Sequence, residues 1–486
     1  MSLKLLAAAS LLAALLAGCI TGPAPAAETP NLPVGGPALP GPLYSGVGRL
    51  FAGPALYDDP QNTPHPGFNW PTLAHPAVGA AVPKYWAPIE PIALPAAIRD
   101  LEHLVQAPKV PSGAGIAIFG SLVVVPGFGQ PTSIVDISDP LHPNVLSQIK
   151  PQEGLGTHRG AAFIPYPDGR LVTVISTGAG IDVWDLSDPT APTALPPLTD
   201  VDGKLVRSHK VGVIPGTPIV VNAASGGGAS SDPDTSPAIT KMWDLSDPTK
   251  AVPLPDFKNG YSCHHVYFWN NLALNKTRGV CAGIQYTQIW DTTDPYHPKV
   301  IVSVPFGSGG TPLDATDRSA QIPLSISHYA GLSRDGKVLL MGDESGGGST
   351  PPGCVVRADI PGVGAVSMPI GAVWFYDVSV ETQPKLLGWY SASQADKATT
   401  GGDAPTSCTA HHGRLIPHLE RDMLAMSFYG SGVLVIDFTD VRSEGGGLPS
   451  TVAQWADHSD TWETWYYQGY LFTGDLNRGM DVLKLV

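Results

Sequence analysis

The sequence predicts an all-β protein, and more narrowly a seven-bladed β-propeller closed by a strand from the N-terminal part of the chain. A short apolar run that ends in an Asp-x-Ser-Asp-Pro-like turn occurs seven times between residue 133 and the C-terminus. The interval between copies, about 45 to 85 residues, holds enough chain for about four short strands, as a propeller blade does. A solenoid is the alternative, but solenoids need shorter and more uniform repeats with capping units.

The repeat predicts where strands end. Its proline cannot donate a hydrogen bond to a β-ladder, and the residue before a proline is pushed towards extended geometry. The signature therefore ends one strand and allows the next to begin. Four close copies are residues 133–140 (SIVDISDP), 181–189 (IDVWDLSDP), 241–248 (KMWDLSDP) and 288–295 (QIWDTTDP). Three more degenerate copies are residues 373–379 (VWFYDVS), 433–440 (VLVIDFTD) and 480–485 (MDVLKL).

The chain begins with the features of an exported lipoprotein. Residues 1–18 carry one charged side chain, Lys4, and an apolar run, which together predict a secretory signal peptide. The ending Leu-Ala-Gly-Cys resembles the bacterial lipobox, which implies cleavage before Cys19 and a lipid anchor on its thiol. The alternative is an ordinary signal peptide with an incidental cysteine. Ile20 after Cys19 resembles an outer-membrane sorting signal, so in a host with two membranes we expect the outer membrane.

Three further segments follow the signal peptide. Residues 19–42 are rich in Pro, Ala and Gly and are interpreted as a tether. Residues 43–97 add aromatic side chains, so we expect irregular chain packed on the propeller, with disorder as the competing interpretation and His65 at the surface. The propeller is predicted for residues 98–486. Residues 100–105 alternate like a strand and are expected to pair with residues 480–485, which would remove an exposed sheet edge.

The negative net charge of the chain argues against two classes of binding partner. The chain of 486 residues has a formal net charge of −14. Nucleic acids and anionic bilayer surfaces both attract basic proteins, so neither is expected to bind this surface. The partners that we expect are the membrane, through the lipid anchor on Cys19, and a protein, peptide or glycan at the rim of the propeller.

A set of histidines stands at one position of the predicted blades. Each opens the first strand of its blade, and the alternation of the apolar residues that follow puts them on one face. In propellers the first strand lines the central channel, so these histidines would ring one mouth of it. The five are His158, His209, His264, His328 and His411. Two more, His265 and His412, follow directly and are expected on the other face of their strands.

Two carboxylates are expected near the same mouth. In an antiparallel blade the second strand ends where the first begins, which places Asp343 and Glu344 beside the histidines. Imidazole with carboxylate suits a transition metal such as zinc or copper. The competing interpretation is that each histidine bonds the backbone of a neighbouring blade, because buried polar groups need partners. A seven-blade channel is wide, so at most about three neighbouring histidines would share one ion.

The chain resembles the bacterial LVIVD-repeat proteins, which are named for the strand before the turn. The resemblance covers roughly residues 98 to 486 and implies the propeller fold, but no activity. Beyond the repeats it rests on Cys263-His264-His265, residues 342–348 (GDESGGG) with Cys354, residues 408–413 (CTAHHG), and residues 465–470 (WYYQGY) with 477–482 (NRGMDV).

Four cysteines follow Cys19: Cys263, Cys281, Cys354 and Cys408. In an oxidising compartment an even number favours disulfides, and three pairings are possible. Proximity in the repeat and the resemblance both favour Cys263 with Cys281 inside one blade, and Cys354 with Cys408 between consecutive blades. The absence of a Cys-x-x-Cys motif disfavours a structural zinc or thiol-redox site.

Two functions of different class follow from these observations. The first is a binding or scaffold module displayed at the cell surface, which the tether and the long insertions favour. The second is a metal-dependent enzyme, oxidase-like or hydrolase-like, that uses the histidine-lined rim. The sequence identifies no catalytic residue.

Overall fold

The computed structural model describes most of the chain from residue 83 to the C-terminus, together with His65, Phe68, Trp70 and Pro71. After residue 83, the residues not described are 225–239, 272–274, 284–285, 306–323, 325, 346–354, 361–363, 393–408, 418–419, 444–445 and 457–459. The predicted signal peptide, the lipidation site Cys19, the tether, and both Cys354 and Cys408 lie outside the described residues.

The described residues form an all-β structure of several antiparallel sheets, as the repeats predict. Five sheets have four strands each. The first is β2 (Ala117–Phe119), β3 (Leu122–Val125), β4 (Thr132–Asp136) and β5 (Asn144–Ile149). The second is β6 (His158–Pro165), β7 (Leu171–Thr177), β8 (Ile181–Asp185) and β9 (Thr193–Leu198). The third is β10 (Lys210–Val213), β11 (Ile219–Ala223), β12 (Met242–Asp244) and β13 (Val252–Pro253).

The next two sheets repeat this order, the second with an insertion. The fourth is β14 (Cys263–Asn271), β15 (Lys276–Gly283), β16 (Tyr286–Asp291) and β17 (Lys299–Pro305). The fifth is β18 (Ser327–Leu332), β19 (Val338–Asp343), β22 (Val373–Asp377) and β23 (Lys385–Tyr390). The separate hairpin β20 (Val355–Ile360) and β21 (Gly364–Pro369) is inserted between β19 and β22.

The remaining strands form one eight-stranded sheet with two halves. One half is β24 (Ala410–Pro417), β25 (Asp422–Phe428), β26 (Gly432–Asp437) and β27 (Ser450–Trp455). The other is β28 (Thr461–Tyr467), β29 (Tyr470–Asp475), β30 (Gly479–Leu485) and β1 (Leu101–Gln106). The halves meet at a single parallel pair, His412 with Glu463. Short 3₁₀ turns lie at Lys84–Trp86 and Thr439–Arg442. None of the helices in the described ranges is long and apolar enough to cross a membrane.

Strand β1 comes from the other end of the chain and covers the edge of β30. The two pair antiparallel, with Leu101 opposite Leu485 and Gln106 opposite Asp481. Leu101 is buried in one apolar cluster with Leu471, Leu483 and Leu485. The pairing therefore satisfies the backbone groups that an exposed edge strand would present to other chains.

Consecutive sheets lie side by side through their first strands. The contacting pairs are β2 with β6, β6 with β10, β10 with β14, β14 with β18, β18 with β24 and β24 with β28. The backbone N–H of Ile116, just before β2, donates to Glu463 of β28 at 3.4 Å, which joins the last of these strands to the first. Apolar side chains fill the space between neighbouring sheets, as where Phe119 packs on Phe163 with ring centroids 6.0 Å apart.

The repeat signature folds as two consecutive turns, each held by one of its aspartates. In the second sheet Oδ1 of Asp185 accepts from the backbone N–H of Ser187 at 2.8 Å, and Oδ1 of Asp188 accepts from that of Thr190 at 3.0 Å. The same first turn recurs at Asp136, Asp244, Asp291, Asp377 and Asp437. These short polar side chains supply the bonds that the reversing backbone lacks, so the carboxylates that recur in the repeats are structural.

The described part of the N-terminal extension packs on these sheets. Trp86 lies edge-on to Phe119, with centroids 5.3 Å apart, and Trp70 lies edge-on to Tyr166 at 5.4 Å. His65 is buried, and its Nε2 lies 3.0 Å from the carbonyl oxygen of Thr292. The surface position expected for His65 is therefore wrong, because the extension covers that residue against the fourth sheet.

Candidate functional site

A β-bulge near the start of the first strand adds one or two residues in β6, β14, β18, β24 and β28. In β14 the register shifts between Cys263 and His265, which leaves His264 as the extra residue. Equivalent shifts leave His328 in β18, His411 and His412 in β24, Trp462 in β28, and Arg159 with Gly160 in β6. A bulge re-aims the side chain that it adds, so these residues depart from simple strand alternation.

The bulge residues, together with His209 directly before β10, touch one another in sheet order. Nη1 of Arg159 donates to Nδ1 of His209 at 2.8 Å. The ring centroids of His209 and His264 are 4.1 Å apart, those of His264 and His328 are 4.2 Å apart, and those of His328 and His411 are 3.7 Å apart. The series ends where His411 packs edge-on against Trp462 at 4.9 Å. We call His209, His264, His328, His411 and His412, together with Glu344, the histidine cluster.

Glu344 aims its carboxylate at three of these imidazoles. Its Oε2 lies 3.6 Å from Nε2 of His264 and 3.6 Å from Nε2 of His328, and its Oε1 lies 3.8 Å from Nε2 of His411. These separations are longer than hydrogen bonds between nitrogen and oxygen. Two ligand atoms about 2.1 Å from a common zinc ion in tetrahedral geometry are about 3.4 Å apart. Each of the three separations from Glu344 is thus close to the distance between two ligands of one small cation.

The geometry of the cluster fits metal ligation by the criterion of mutual distance. One ligand atom from each of His209, His264 and His328 lies within 4.8 Å of the others, and the same holds for His328, His411 and His412. His328 belongs to both groups. Among the described residues, neither ring nitrogen of His328 has a hydrogen-bond partner, and Nε2 of His411 and of His412 has none. Buried polar atoms without partners are rare and call for an explanation.

Hydrogen bonds at the far side of two rings set which nitrogen offers a lone pair. Nδ1 of His411 donates to the carbonyl oxygen of Trp462, so the neutral ring leaves Nε2 without a proton and facing Glu344. A backbone carbonyl in this position orients many metal-binding histidines. His209 is opposite, because its Nδ1 accepts from Arg159 and its neutral ring therefore carries the proton on Nε2. His209 is the least suited of the group to bind an ion.

Burial keeps these imidazoles neutral. It lowers the pKa of His264 to about 3, and it lowers the pKa values of the others well below the ordinary value of 6.5. Burial, followed by the neighbouring Asp343 carboxylate, raises the pKa of Glu344 to about 8. At neutral pH the metal-free cluster is therefore composed of neutral groups, and imidazole in its neutral form is the form that binds metals.

Two residues of the expected site have other roles. His158 is fully buried away from the cluster, with Nδ1 2.7 Å from Thr132 Oγ1 and Nε2 2.9 Å from Asp182 Oδ2. It stands one residue before the bulge, and Arg159 takes the position that the spacing assigned to His158. Asp343 accepts from the backbone N–H groups of Ile326 at 3.3 Å and Gly371 at 2.8 Å, so it holds the backbone beside Glu344.

Strand alternation predicts that His265 and His412 lie on the opposite face of their strands from the other histidines. In the structure they do not. Their ring centroids are 4.5 Å apart, and His412 lies 4.2 Å from His328. The bulges break the alternation and turn both members of each His-His pair towards the same interior space. His412 therefore joins the histidine cluster, while His265 lies beneath it.

Below His265 the interior contains a cavity of about 40 Å³. Charged side chains from three first strands line it, and all are buried. Lys210 Nζ lies 3.1 Å from Glu463 Oε2, and Arg414 Nη2 lies 3.5 Å from Glu463 Oε1. We call Lys210, His265, Tyr267, Arg414, Glu463 and Trp465, with the apolar residues around them, the lower cavity.

The disulfide prediction is confirmed for one pair. Cys263 and Cys281 are bonded, with Cα atoms 5.3 Å apart, and join β14 to β15 directly beside His264. The link ties the strand that presents His264 and His265 to its neighbour. The second expected pair, Cys354 with Cys408, lies outside the described residues.

Sequence reasoning missed Arg159, Trp462 and the charged residues of the lower cavity. A signal was present, because the residue after each opening position reads Gly160, Lys210, His265, Tyr329, His412 and Glu463 along the chain. Two opposite charges in that series, on otherwise apolar strands, indicate a second interior layer. Without the bulges, however, the two successive positions are expected on opposite faces.

Comparisons with known proteins find similarity among solved structures. The sequence matches no family model and no curated protein. Among solved structures, the computationally designed Ika8 protein is similar at 10% identity and a TM-score of 0.41, over 79% of this chain and 100% of that one. Raptor from Chaetomium thermophilum is similar at 11% identity and a TM-score of 0.47, over 80% of this chain and 29% of that one. Neither similarity bears on function.

Proposed function

We propose that this chain is a seven-bladed propeller of the LVIVD-repeat kind, held in the cell envelope by a lipid on Cys19. The contacts between consecutive first strands, the bond from Ile116 to Glu463 and the pairing of β1 with β30 support a closed ring. The lipobox-like ending at Cys19 supports the anchor. In this arrangement the histidine cluster lies at one mouth of the central channel and the lower cavity lies deeper in it.

We further propose that the histidine cluster binds one transition-metal ion, zinc or copper, and that the protein is a metal-dependent enzyme. The observation that carries this proposal is the approach of Nε2 of His264, His328 and His411 to the single carboxylate of Glu344 at 3.6 to 3.8 Å. Three imidazoles and one carboxylate are ligands that both ions accept. Packing alone does not account for the two ring nitrogens of His328 and Nε2 of His411, which are buried without hydrogen-bond partners among the described residues.

Each residue would have a defined part. His264, His328 and His411 would supply neutral nitrogen ligands, and Glu344 would lose its proton and supply the negative charge. Trp462 would hold His411 in the right tautomer, and Asp343 would hold the backbone beside Glu344. The ion would supply Lewis acidity to a bound substrate or water molecule, which suits the hydrolase-like and oxidase-like classes expected from the sequence.

The test is the metal content of the purified full-length protein. Bound metal is removed with a chelator, and the protein is then loaded with zinc or copper(II) and desalted. Its metal content is measured by inductively coupled plasma mass spectrometry. We expect about one ion per chain in the wild type and a loss of at least tenfold in affinity for His328→Ala and Glu344→Gln. His297→Ala is the matched control, because His297 lies on an exposed turn and bonds only Asp294 there.

A wild-type protein that is folded but binds neither ion in the micromolar range would remove the metal proposal. Retention of the ion by His328→Ala would do the same. In either case the buried histidines are packing residues, and the binding or scaffold function at the cell surface becomes the proposal to pursue.

A further inference from the structure

The charges of the lower cavity do not balance. Lys210 and Arg414 are basic, and Glu463 is the only carboxylate among the residues that line the space. Burial lowers the pKa of Lys210, an effect that the neighbouring Glu463 carboxylate partly offsets. Both cations point at that one carboxylate, at 3.1 Å and 3.5 Å. All three side chains are at least nine-tenths buried. An unbalanced charge in a water-poor interior is costly unless another group compensates it.

One donor of the Arg414 guanidinium, Nε, has no hydrogen-bond partner among the described residues. Its Nη1 donates to the carbonyl oxygen of Gly413 at 3.2 Å and its Nη2 is the atom that faces Glu463, whereas Nε has no partner among the described residues. The guanidinium carbon of Arg414 lies 3.9 Å from the ring centroid of Trp465 and 4.7 Å from that of Tyr267. The side chain is thus fixed in place with a buried donor to spare.

A glycine leaves room for the side chain of Lys210 to reach the cavity. The side chain crosses from β10 to Glu463 of β28 over Gly160, where an added Cβ would lie 2.5 Å from Lys210 Cδ. A side chain larger than glycine at position 160 would therefore meet the lysine. The backbone leaves room for the cation to reach the cavity.

We propose that the lower cavity binds the carboxylate group of a small monocarboxylate, beside Lys210 and Arg414. One water molecule needs roughly 10 to 15 Å³ of such space, so the cavity accepts about three heavy atoms, the size of a carboxylate. A planar anion matches the fork of an arginine, and a charge-assisted bond satisfies the spare donor. His265, which lines the cavity, lies next to His412 of the histidine cluster, with ring centroids 4.5 Å apart.

This site does not depend on the proposed metal. It is tested on the full-length protein in the presence of a chelator, so that failure of the metal proposal and failure of the carboxylate proposal are separate results. Formate, acetate, propionate and butyrate are titrated by calorimetry, with chloride and nitrate as anions of other chemistry, and the melting temperature is recorded for each.

We expect formate or acetate to bind and to raise the melting temperature, with chloride and nitrate binding at least tenfold more weakly. Arg414→Lys keeps the charge but loses the fork, and is expected to weaken binding by about tenfold. Lys210→Met is the second variant and replaces Arg414→Lys if the latter does not fold. Arg421→Lys is the matched control, because Arg421 pairs with Asp437 on the outer part of the same sheet half.

The affinities for carboxylates of different chain length distinguish a free small anion from the carboxylate end of a larger substrate. Binding of propionate and butyrate as tight as that of acetate supports the carboxylate end of a larger substrate, whereas binding that falls with chain length supports a free small anion. No binding by any carboxylate, equal binding of chloride, or unchanged binding in both folded variants would overturn the proposal.

Discussion

The carboxylate of Glu344 lies 3.6 Å from Nε2 of His328, and both groups are buried. Of the two, only His328 departs from regular strand geometry. His328 is the extra residue of a bulge in β18, and Glu344 directly follows β19, where its backbone N–H donates to Ile326 at 3.0 Å. A bulge in the first strand and the end of the second strand of one hairpin therefore bring an acid and an imidazole together without a hydrogen bond between them, and the first prediction depends on the cost of that arrangement.

The metal-free protein should lose stability as pH rises through the titration of Glu344. Its folded-state pKa of about 8 lies above the ordinary value of 4.5, so the fold favours the protonated acid and is penalised between pH 4.5 and 8. Glu344→Gln should be more stable than wild type at pH 9, on the order of 3 to 5 kcal/mol, and nearly equal at pH 4.5. Urea unfolding with a chelator at both values measures this.

Glu381→Gln provides a control of opposite sign. The hydrogen bond from Arg278 Nε, 2.7 Å long, lowers the pKa of Glu381 below its ordinary value. This pair stabilises the fold above pH 4.5 and loses that effect as pH falls through the lowered pKa. Glu381→Gln should therefore be less stable than wild type at pH 9. A gain in stability for both glutamine variants, or for neither, would contradict the assignment.

Loss of the Cys263–Cys281 disulfide should destabilise the protein without abolishing its fold. The two cysteines are 18 residues apart in sequence, and closing a loop of that size stabilises by about 3 kcal/mol. Chemical denaturation of the Cys263→Ala/Cys281→Ala protein against wild type measures the difference. Alkylation of the unreduced wild type followed by peptide mass spectrometry should find neither thiol free, and free thiols at both positions would refute the assignment.

The first aspartate of the repeat should matter for its acceptor oxygen and less for its charge. Asp185 Oδ1 accepts from both the N–H and the hydroxyl of Ser187. Asp185→Ala should cost about 1 kcal/mol in the free energy of unfolding, because it leaves the turn without these bonds. Asp185→Asn retains an acceptor and should cost less. Equal effects of the two substitutions in equilibrium unfolding would mean that the charge is what stabilises the turn.

Strand β1 should be needed for a monomeric protein. A protein comprising residues 99–486 keeps β1, and one comprising residues 107–486 removes it and exposes the edge of β30. We expect the shorter protein to melt at lower temperature and to form oligomers in size-exclusion chromatography, because unpaired edges join other chains. Comparison with residues 83–486 separates the contribution of Trp86. Identical monomers from all three would show that β30 does not need its partner.

The sequence alone determined the fold class and the local structure. The apolar runs and the Asp-x-Ser-Asp-Pro turns predicted strands that the structure contains, because strand alternation and turn chemistry are properties of a few neighbouring residues. One disulfide, Cys263 with Cys281, was predicted from proximity in the repeat together with the resemblance to the LVIVD-repeat proteins, and it is confirmed. The position of Glu344 near the opening histidines also followed from the geometry of an antiparallel hairpin.

Only the tertiary structure decided which side chains meet. A bulge is a matter of register between two strands, and a shift by one residue moves a side chain to the other face. The bulges put Arg159 at the position predicted for His158 and brought His265 and His412 inward. The packing of sheets placed Lys210 opposite Glu463, which is 253 residues away in sequence. Such pairs form because sheets from distant parts of the chain pack together, and no local pattern records the one-residue offset between them.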